Sequence, residues 1–368
     1  MITSLLAFFG VLSILVLVHE LGHFLAAKFL GVGVVEFGLG LPPRIWGKKV
    51  GGTVWSINLL PIGGFVKLIG EDDEEGVSAK DHDKAFFAKP KMVRILVVVA
   101  GVVMNFILAV GLFTYIYTKL GIPTKTNDVY VVGLAKGSPA EAVGIKEGDK
   151  LRRFKLKSGG EKDITSSEEF IGFNKDAKGQ EIELFLERKE GDTTKTIAVK
   201  VTPRVNPPEG EGPLGVAISS VIQKFYPWYE MPFRASAYGF SEALGWAKLV
   251  LSEFAKLITN LVTTGQVSQE ISGPVGIFQV TSQVAKTGII NLLQLMGILS
   301  VNLAVLNVLP IPALDGGRLA FILVEAVLGK RVVPKYEKII HSVGLMLLIG
   351  VILLVTVRDI ARIVFPGV

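Results

Sequence analysis

Cysteine is absent from the 368 residues. That excludes disulfides and thiolate metal sites, so any metal must be held by His, Asp or Glu. Histidine is scarce as well, at four residues, so a clustering of imidazoles carries information. Charge of one sign is missing where a nucleic-acid binder would concentrate it. The chain carries a formal net charge of +6, yet residues 121–222 hold as many Asp and Glu as Lys and Arg. No basic stripe is left for a phosphate backbone, which excludes nucleic acid as a partner. The N-terminus lacks the basic n-region and small-residue cleavage site of a secretory signal peptide, so its apolar run is expected to be retained.

Apolar length is what the chain has in excess. Half of its residues are hydrophobic and the mean hydropathy is +0.50, which points to a lipid bilayer as a partner. Uncharged runs at 95–118, 287–314 and 339–357 each approach the roughly 20 residues needed to span hydrocarbon, and residues 4–28 supply a fourth. Lys89, Lys91 and Arg94 precede the second run, and Arg318, Lys330, Arg331, Lys335 and Lys338 lie between the last two. The positive-inside rule places those two loops in the cytoplasm. The N-terminus, residues 121–286 and the C-terminus then face outside, with Arg358 and Arg362 a mild dissent.

Between the first two runs, residues 34–66 alternate apolar positions with turn signals at Leu41-Pro42-Pro43 and Val50-Gly51-Gly52, which predicts short strands in hairpins. The acidic run 71–75 reads as a solvated loop. From Asp128 to about Val221 the pattern is that of a small α/β module of roughly five strands and two helices. Ser138-Pro139 caps one helix running to Val143, and Ser166 with Glu169 has capping-box spacing for the other. Residues 180–188 alternate as a strand, and Glu190-Gly191-Asp192 suits a turn into 194–202. Residues 137–149, GSPAEAVGIKEGD, resemble the first helix and following turn of bacterial PDZ domains. Such modules bind extended peptides or chain ends by strand addition; a steric filter that binds nothing is the alternative. Beyond the module, Phe240, Leu244, Ala247, Leu251, Phe254, Ile258 and Leu261 recur at helical spacing. That stripe suits an amphipathic helix on the outer membrane face, and packing against other helices would produce it too.

The first apolar run contains His19-Glu20-Leu21-Gly22-His23. Ionisable groups at membrane depth are costly enough that function is the default reading. In this HExxH spacing, two histidines four apart share a helix face and can direct their nitrogens at one zinc ion, with the glutamate beside it as general base. Zinc lowers the pKa of a bound water towards about 7, and a neighbouring carboxylate takes its proton. His19 lies about fifteen residues into the run, roughly 22 Å at 1.5 Å per residue, near the cytoplasmic end. A catalytic zinc keeps three protein ligands and an open position. Of the candidates for the third, His82 sits in a charged loop and His341 opens the last apolar run. Asp315 has more context: Asn307-Val-Leu-Pro310-Ile-Pro312-Ala-Leu-Asp315-Gly316-Gly317 ends a span with two helix-breaking prolines and two glycines.

With these motifs together, from residue 19 to residue 317, the chain resembles the site-2 protease family of intramembrane zinc metalloproteases, in particular its RseP-type bacterial branch (regulator of sigma-E protease). The resemblance implies that His19, His23 and Asp315 ligate zinc (Zn2+), that Glu20 is catalytic and that Asn307 holds substrate backbone. It likens Gly101-Val-Val-Met-Asn105 to the family motif that packs the second helix beside the active-site helix; a buried Asn105 also suits an interhelical hydrogen bond. It likens residues 60–67 to a membrane-associated β element that clamps substrate, and Gly273-Pro274-Val275-Gly276 is family-like too. RseP proteins carry two PDZ domains, whereas one module fits here. The implied substrates are single-span membrane proteins with trimmed ectodomains, of the anti-sigma-factor type, or signal-peptide remnants. The implied location is the bacterial inner (plasma) membrane.

The expected fold class is an α-helical polytopic membrane protein with four transmembrane helices, membrane-associated β-hairpins and one extracytoplasmic α/β PDZ-like domain. Its expected division is a first span with HExxH at 1–30, a cytoplasmic-side loop with β-hairpins at 31–90, a second span at 91–120 and the PDZ-like domain at 121–222. An amphipathic helix and linker follow at 223–286, then a third span at 287–314, the Leu-Asp-Gly segment with a short helix at 315–338, and a fourth span and tail at 339–368. A noncatalytic PDZ-bearing membrane scaffold is the competing function; the intact His19, Glu20, His23 and Asp315 argue against it. A zinc transporter would present several intramembrane ligand clusters, and the sequence offers one.

Overall fold

The computed structural model describes residues 2–71, 76–156, 159–191, 193–265, 273–329 and 333–364. Residues 72–75 of the acidic run, Asp192 of the expected turn, and Lys330 and Arg331 of the expected cytoplasmic loop lie outside the described residues. The chain divides into two compact units, Met1–Lys119 with Trp228–Val368, and Leu120–Pro227.

In the first unit, the apolar N-terminal run forms α1 (Ile2–Phe29). It stops where Gly31 takes a left-handed conformation (φ 73°) and Val32 N–H turns back to Ala27 C=O at 2.8 Å, the cap that glycine favours at helix ends. Two long strands follow, β1 (Val34–Val50) and β2 (Thr53–Leu68), joined at Gly51-Gly52. The turn is where the Gly-Gly signal predicts it, but the region is one long hairpin folded on itself rather than a set of short ones. Val50 faces Thr53 and Lys48 faces Trp55 across the turn, while Phe37 faces both Trp55 and Val66. The first part of β1 thus lies between the two halves of β2. The hairpin seats on α1 through Phe24, whose ring is 5.2 Å from Phe37 and 5.1 Å from Trp55.

Next come α2 (Lys91–Leu120), and, after the second unit, α5 (Met231–Thr264), α6 (Pro274–Thr287), α7 (Ile289–Val308), α8 (Asp315–Leu328) and α9 (Pro334–Val364). Among the described residues, α1, α2, α7 and α9 are long and apolar enough to cross a membrane, and the protein is a multi-pass membrane protein with a β domain. The third span is shorter than the apolar run: α7 ends at Val308 because Pro310 and Pro312 cannot continue it. The first half of α5 packs on α2, with Tyr238 4.6 Å from Tyr117 and Phe240 5.7 Å from Phe106. A Cβ on Gly239 would meet Thr114 N at 2.9 Å, so glycine lets the two backbones approach. Helix packing therefore accounts for that part of the apolar stripe.

The segment expected as linker contains α6. Its first amides have a partner far away in sequence: Gly273 N–H and Gly276 N–H both donate to Asp359 Oδ2 of α9 at 2.9 Å. A buried ion pair joins α2 to α8, with Arg94 Nη2 2.7 Å from both carboxylate oxygens of Glu325. Arg94 is 6% exposed and Glu325 9%.

The second unit is a six-stranded sheet with two short helices. In chain order these are β3 (Ile122–Leu134), α3 (Pro139–Ala142), β4 (Lys150–Leu156), β5 (Glu161–Asp163), α4 (Ser167–Asp176), β6 (Ile182–Glu190), β7 (Thr193–Val201) and β8 (Val216–Lys224). The strand order is β7-β6-β4-β3-β8, with β5 added to β4. Alternation along β6 puts Ile182, Leu184 and Leu186 into the core with Val129, Leu151, Phe154 and Phe170. Both predicted caps form: Ser138 Oγ accepts from Glu141 N–H at 3.2 Å and Ser166 Oγ from Glu169 N–H at 3.1 Å.

Candidate metal centre and active site

The centre is assembled from three apolar helices and one broken turn. His19 and His23 sit one helical turn apart on α1, both buried. Their Nε2 atoms are 3.1 Å apart. Asp315 Oδ2, at the start of α8, lies 2.9 Å from His19 Nε2 and 3.1 Å from His23 Nε2. The three ligand atoms fall within 4.8 Å of one another.

The far side of each imidazole shows what this convergence is for. His23 Nδ1–H donates to Val97 C=O at 2.8 Å, which leaves the Nε2 lone pair directed into the cluster. His19 Nδ1 is 3.2 Å from the side-chain amide of Asn105, which is fully buried. Asn105 Oδ1 has no hydrogen-bond partner as placed. Turning that amide over puts the oxygen on His19 Nδ1–H and frees His19 Nε2 in the same way. Two imidazole lone pairs and a carboxylate oxygen then face one point with no hydrogen between them, an arrangement that a cation satisfies and that orients each ligand from behind. The donor set, two nitrogens and one carboxylate, is one that zinc takes in catalytic sites.

Close approach of α1 and α2 makes this possible. A Cβ on Gly101 would overlap His23 Nε2 and lie 2.8 Å from His19 Cε1. A Cβ on Gly22 would overlap the Ala100 carbonyl on the opposite side of the same contact. Asp315 is aimed by the turn that precedes it. After Pro310 and Pro312 the chain folds back so tightly that a Cβ on Gly316 would overlap the Leu309 carbonyl, and one on Gly317 would be 2.7 Å from Ile311 O.

Glu20 stands beside the histidines and accepts a hydrogen bond from Val66 N–H at 3.0 Å. Val66 belongs to the last segment of β2, so this bond puts the carboxylate against the outer edge of the hairpin. Asn307, near the end of α7, places its amide 3.3 Å from His19 Nε2. All five sequence-predicted site residues are therefore brought together. His82 and His341 are not among them: His82 lies beside Asp83 and Phe87 in the 82–88 segment, and His341 Nδ1 accepts from Ala313 N–H at 3.0 Å. Sequence reasoning left Asn105 outside the site, although its spacing of four from Gly101 places both on one face of α2.

A membrane protein whose HExxH helix converges with an aspartate in this way is a zinc metalloprotease. Comparison with known proteins places it more closely. The chain belongs to peptidase family M50, whose family model matches residues 7–351. It is similar to a protein of Clostridium perfringens named as a candidate zinc metalloprotease, 38% identical over 367 residues, covering 99% of this chain and 98% of that one. A Clostridium acetobutylicum protein named in the same way is 33% identical over 361 residues, covering 98% and 96%. The regulator of sigma-W protease RasP of Bacillus subtilis is 30% identical over 438 residues, covering 98% and 99%.

Proposed function

We propose that this protein cuts peptide bonds inside the transmembrane helices of single-span substrates whose ectodomains have already been trimmed, anti-sigma factors first among them. The observation that carries the reading is the position of the metal cluster: His19 and His23 are buried on an apolar helix long enough to cross a membrane. Similarity to a protease named for regulating sigma-W supports the substrate class. Similarity to bacterial proteases supports a bacterial inner membrane, and charge placement supports an orientation with residues 121–222 outside.

His19, His23 and Asp315 would hold the zinc, whose chemistry there would be that of a Lewis acid towards the scissile carbonyl and the attacking water. Glu20 takes the proton from that water and passes it to the leaving nitrogen. A transmembrane helix must first unwind, and its freed backbone groups need new partners in a shielded place. The outer edge of β2 beside Val66 offers them by strand addition, and because Val66 N–H is held by Glu20 a strand added there would run past that carboxylate. Asn307 donates its amide to the substrate backbone beside the zinc site.

For the second unit, we read a PDZ-like module, single in this chain, that takes peptide ends. β8 is an edge strand. Between it and α4 lies a cleft of about 300 Å³ lined by Phe170, Ile171, Asn174, Leu214, Val216 and Ile218. An apolar slot beside an exposed edge favours binding over a purely steric filter.

The test is cleavage of a single-span reporter lacking its ectodomain, by purified protein with zinc in detergent. Wild type cuts within the apolar segment, and Glu20→Gln, which keeps the fold and binds zinc, is slower by several orders of magnitude. A folded, zinc-loaded wild type as inert as Glu20→Gln on several such reporters would return the protein to the scaffold reading.

A further inference from the structure

The turn that delivers Asp315 contains one backbone conformation that needs holding. Ala313 has φ 78°, and it is the one non-glycine residue with positive φ among the described residues. A side chain is disfavoured there, and such outliers persist only where the surroundings over-determine them. Two residues later comes the carboxylate that faces His19 and His23.

The surroundings are supplied by α9. Ala313 N–H donates to His341 Nδ1 at 3.0 Å. Three residues further along α9, Gly344 lies against Pro312 so closely that a Cβ on it would overlap the proline ring. The imidazole also packs on Phe321 of α8, centroids 5.6 Å apart, and comes within 3.2 Å of where a Cβ on Gly317 would sit. His341 is therefore clamped between the turn and α8, and its acceptor nitrogen is engaged by the strained residue.

We infer that His341 is a positioning residue for the zinc site: by accepting the Ala313 N–H it holds the left-handed turn that aims Asp315 at the metal. The fourth spanning helix is then a working part of the metal centre, with no ligand of its own. This rests on the zinc site alone and is independent of any substrate.

The test compares variants of the full chain in detergent by two readouts, zinc affinity from chelator competition and the absorption spectrum of the Co2+-loaded protein. H341L fills the space without an acceptor. Its zinc affinity should fall about 10- to 100-fold, the usual effect of losing a group that orients a ligand, with a changed Co2+ spectrum. H341N retains an acceptor and should stay close to wild type. A313G, which relieves the side-chain penalty at positive φ, should recover most of the loss in the H341L background. If H341L does not fold, H341A takes its place under the same criteria. A folded H341L that binds zinc as wild type does overturns the inference. So does a loss that neither H341N avoids nor A313G recovers, because His341 would then act through packing of α9 alone.

Discussion

Gly101 of α2 lies directly beneath His23 of α1, with no room for a single methyl group between them. Alanine there must either push the imidazole off the metal position or move α2 away from α1, which opens the close Gly22–Ala100 contact and carries Asn105 away from His19. Gly101→Ala should therefore leave a folded protein with at least about tenfold weaker zinc binding. Gly111→Ala, on the same helix with open space around it, is the control and should bind zinc normally. Metal content after dialysis against a weak chelator reads both.

Asn105 orients His19 from behind. Asn105→Ala should weaken zinc by about 10- to 100-fold, and Asn105→Asp, which keeps an oxygen for His19 Nδ1–H, should recover part of it. Equal loss in the two variants would mean that the amide serves helix packing instead.

The Arg94–Glu325 pair is buried on both sides. Removing one partner strands the other charge, so Arg94→Ala or Glu325→Ala should each cost about 3–5 kcal/mol. Replacing both with apolar residues of similar size should cost far less. Unfolding in a denaturing detergent series, followed by helix content, measures the difference.

In the second unit, the Thr165 hydroxyl, followed by the Lys162 ammonium and Thr165 N–H, holds the Glu169 carboxyl down to about 2. A depressed carboxyl stabilises the folded form above its unfolded value of about 4.3, and that contribution disappears as pH falls towards 2. Hydrogen exchange at the start of α4 should accordingly speed up, relative to the rest of the unit, between about pH 4.5 and 2. Glu169→Gln should remove that part of the pH dependence.

How much of this was readable beforehand depends on the distance along the chain between partners. His19 and His23 announce themselves because their relation is local, one helical turn. Asp315 was marked by the prolines and glycines around it, and the caps at Ser138 and Ser166 lie within three residues of the amides they bind. Asn105 is 86 residues from His19 and Glu325 is 231 from Arg94. No periodicity reports such pairs. The α5 stripe shows another limit, since lipid and a neighbouring helix are equally apolar and impose the same pattern. The folding of β1 into the middle of β2 was hidden for a third reason: alternation specifies which face a residue takes and leaves open which strand lies beside it.

Asp359, near the far end of α9, holds the first amides of α6, while His341, near the start of the same helix, holds the turn before Asp315. Both contacts come from a helix that is translated after the elements it secures. On a ribosome-bound chain that has not yet released α9, the HExxH helix would already sit in the bilayer while the aspartate turn had nothing to brace it. Maturation of the metal centre would thus wait on α9, a helix made after every element that carries a ligand.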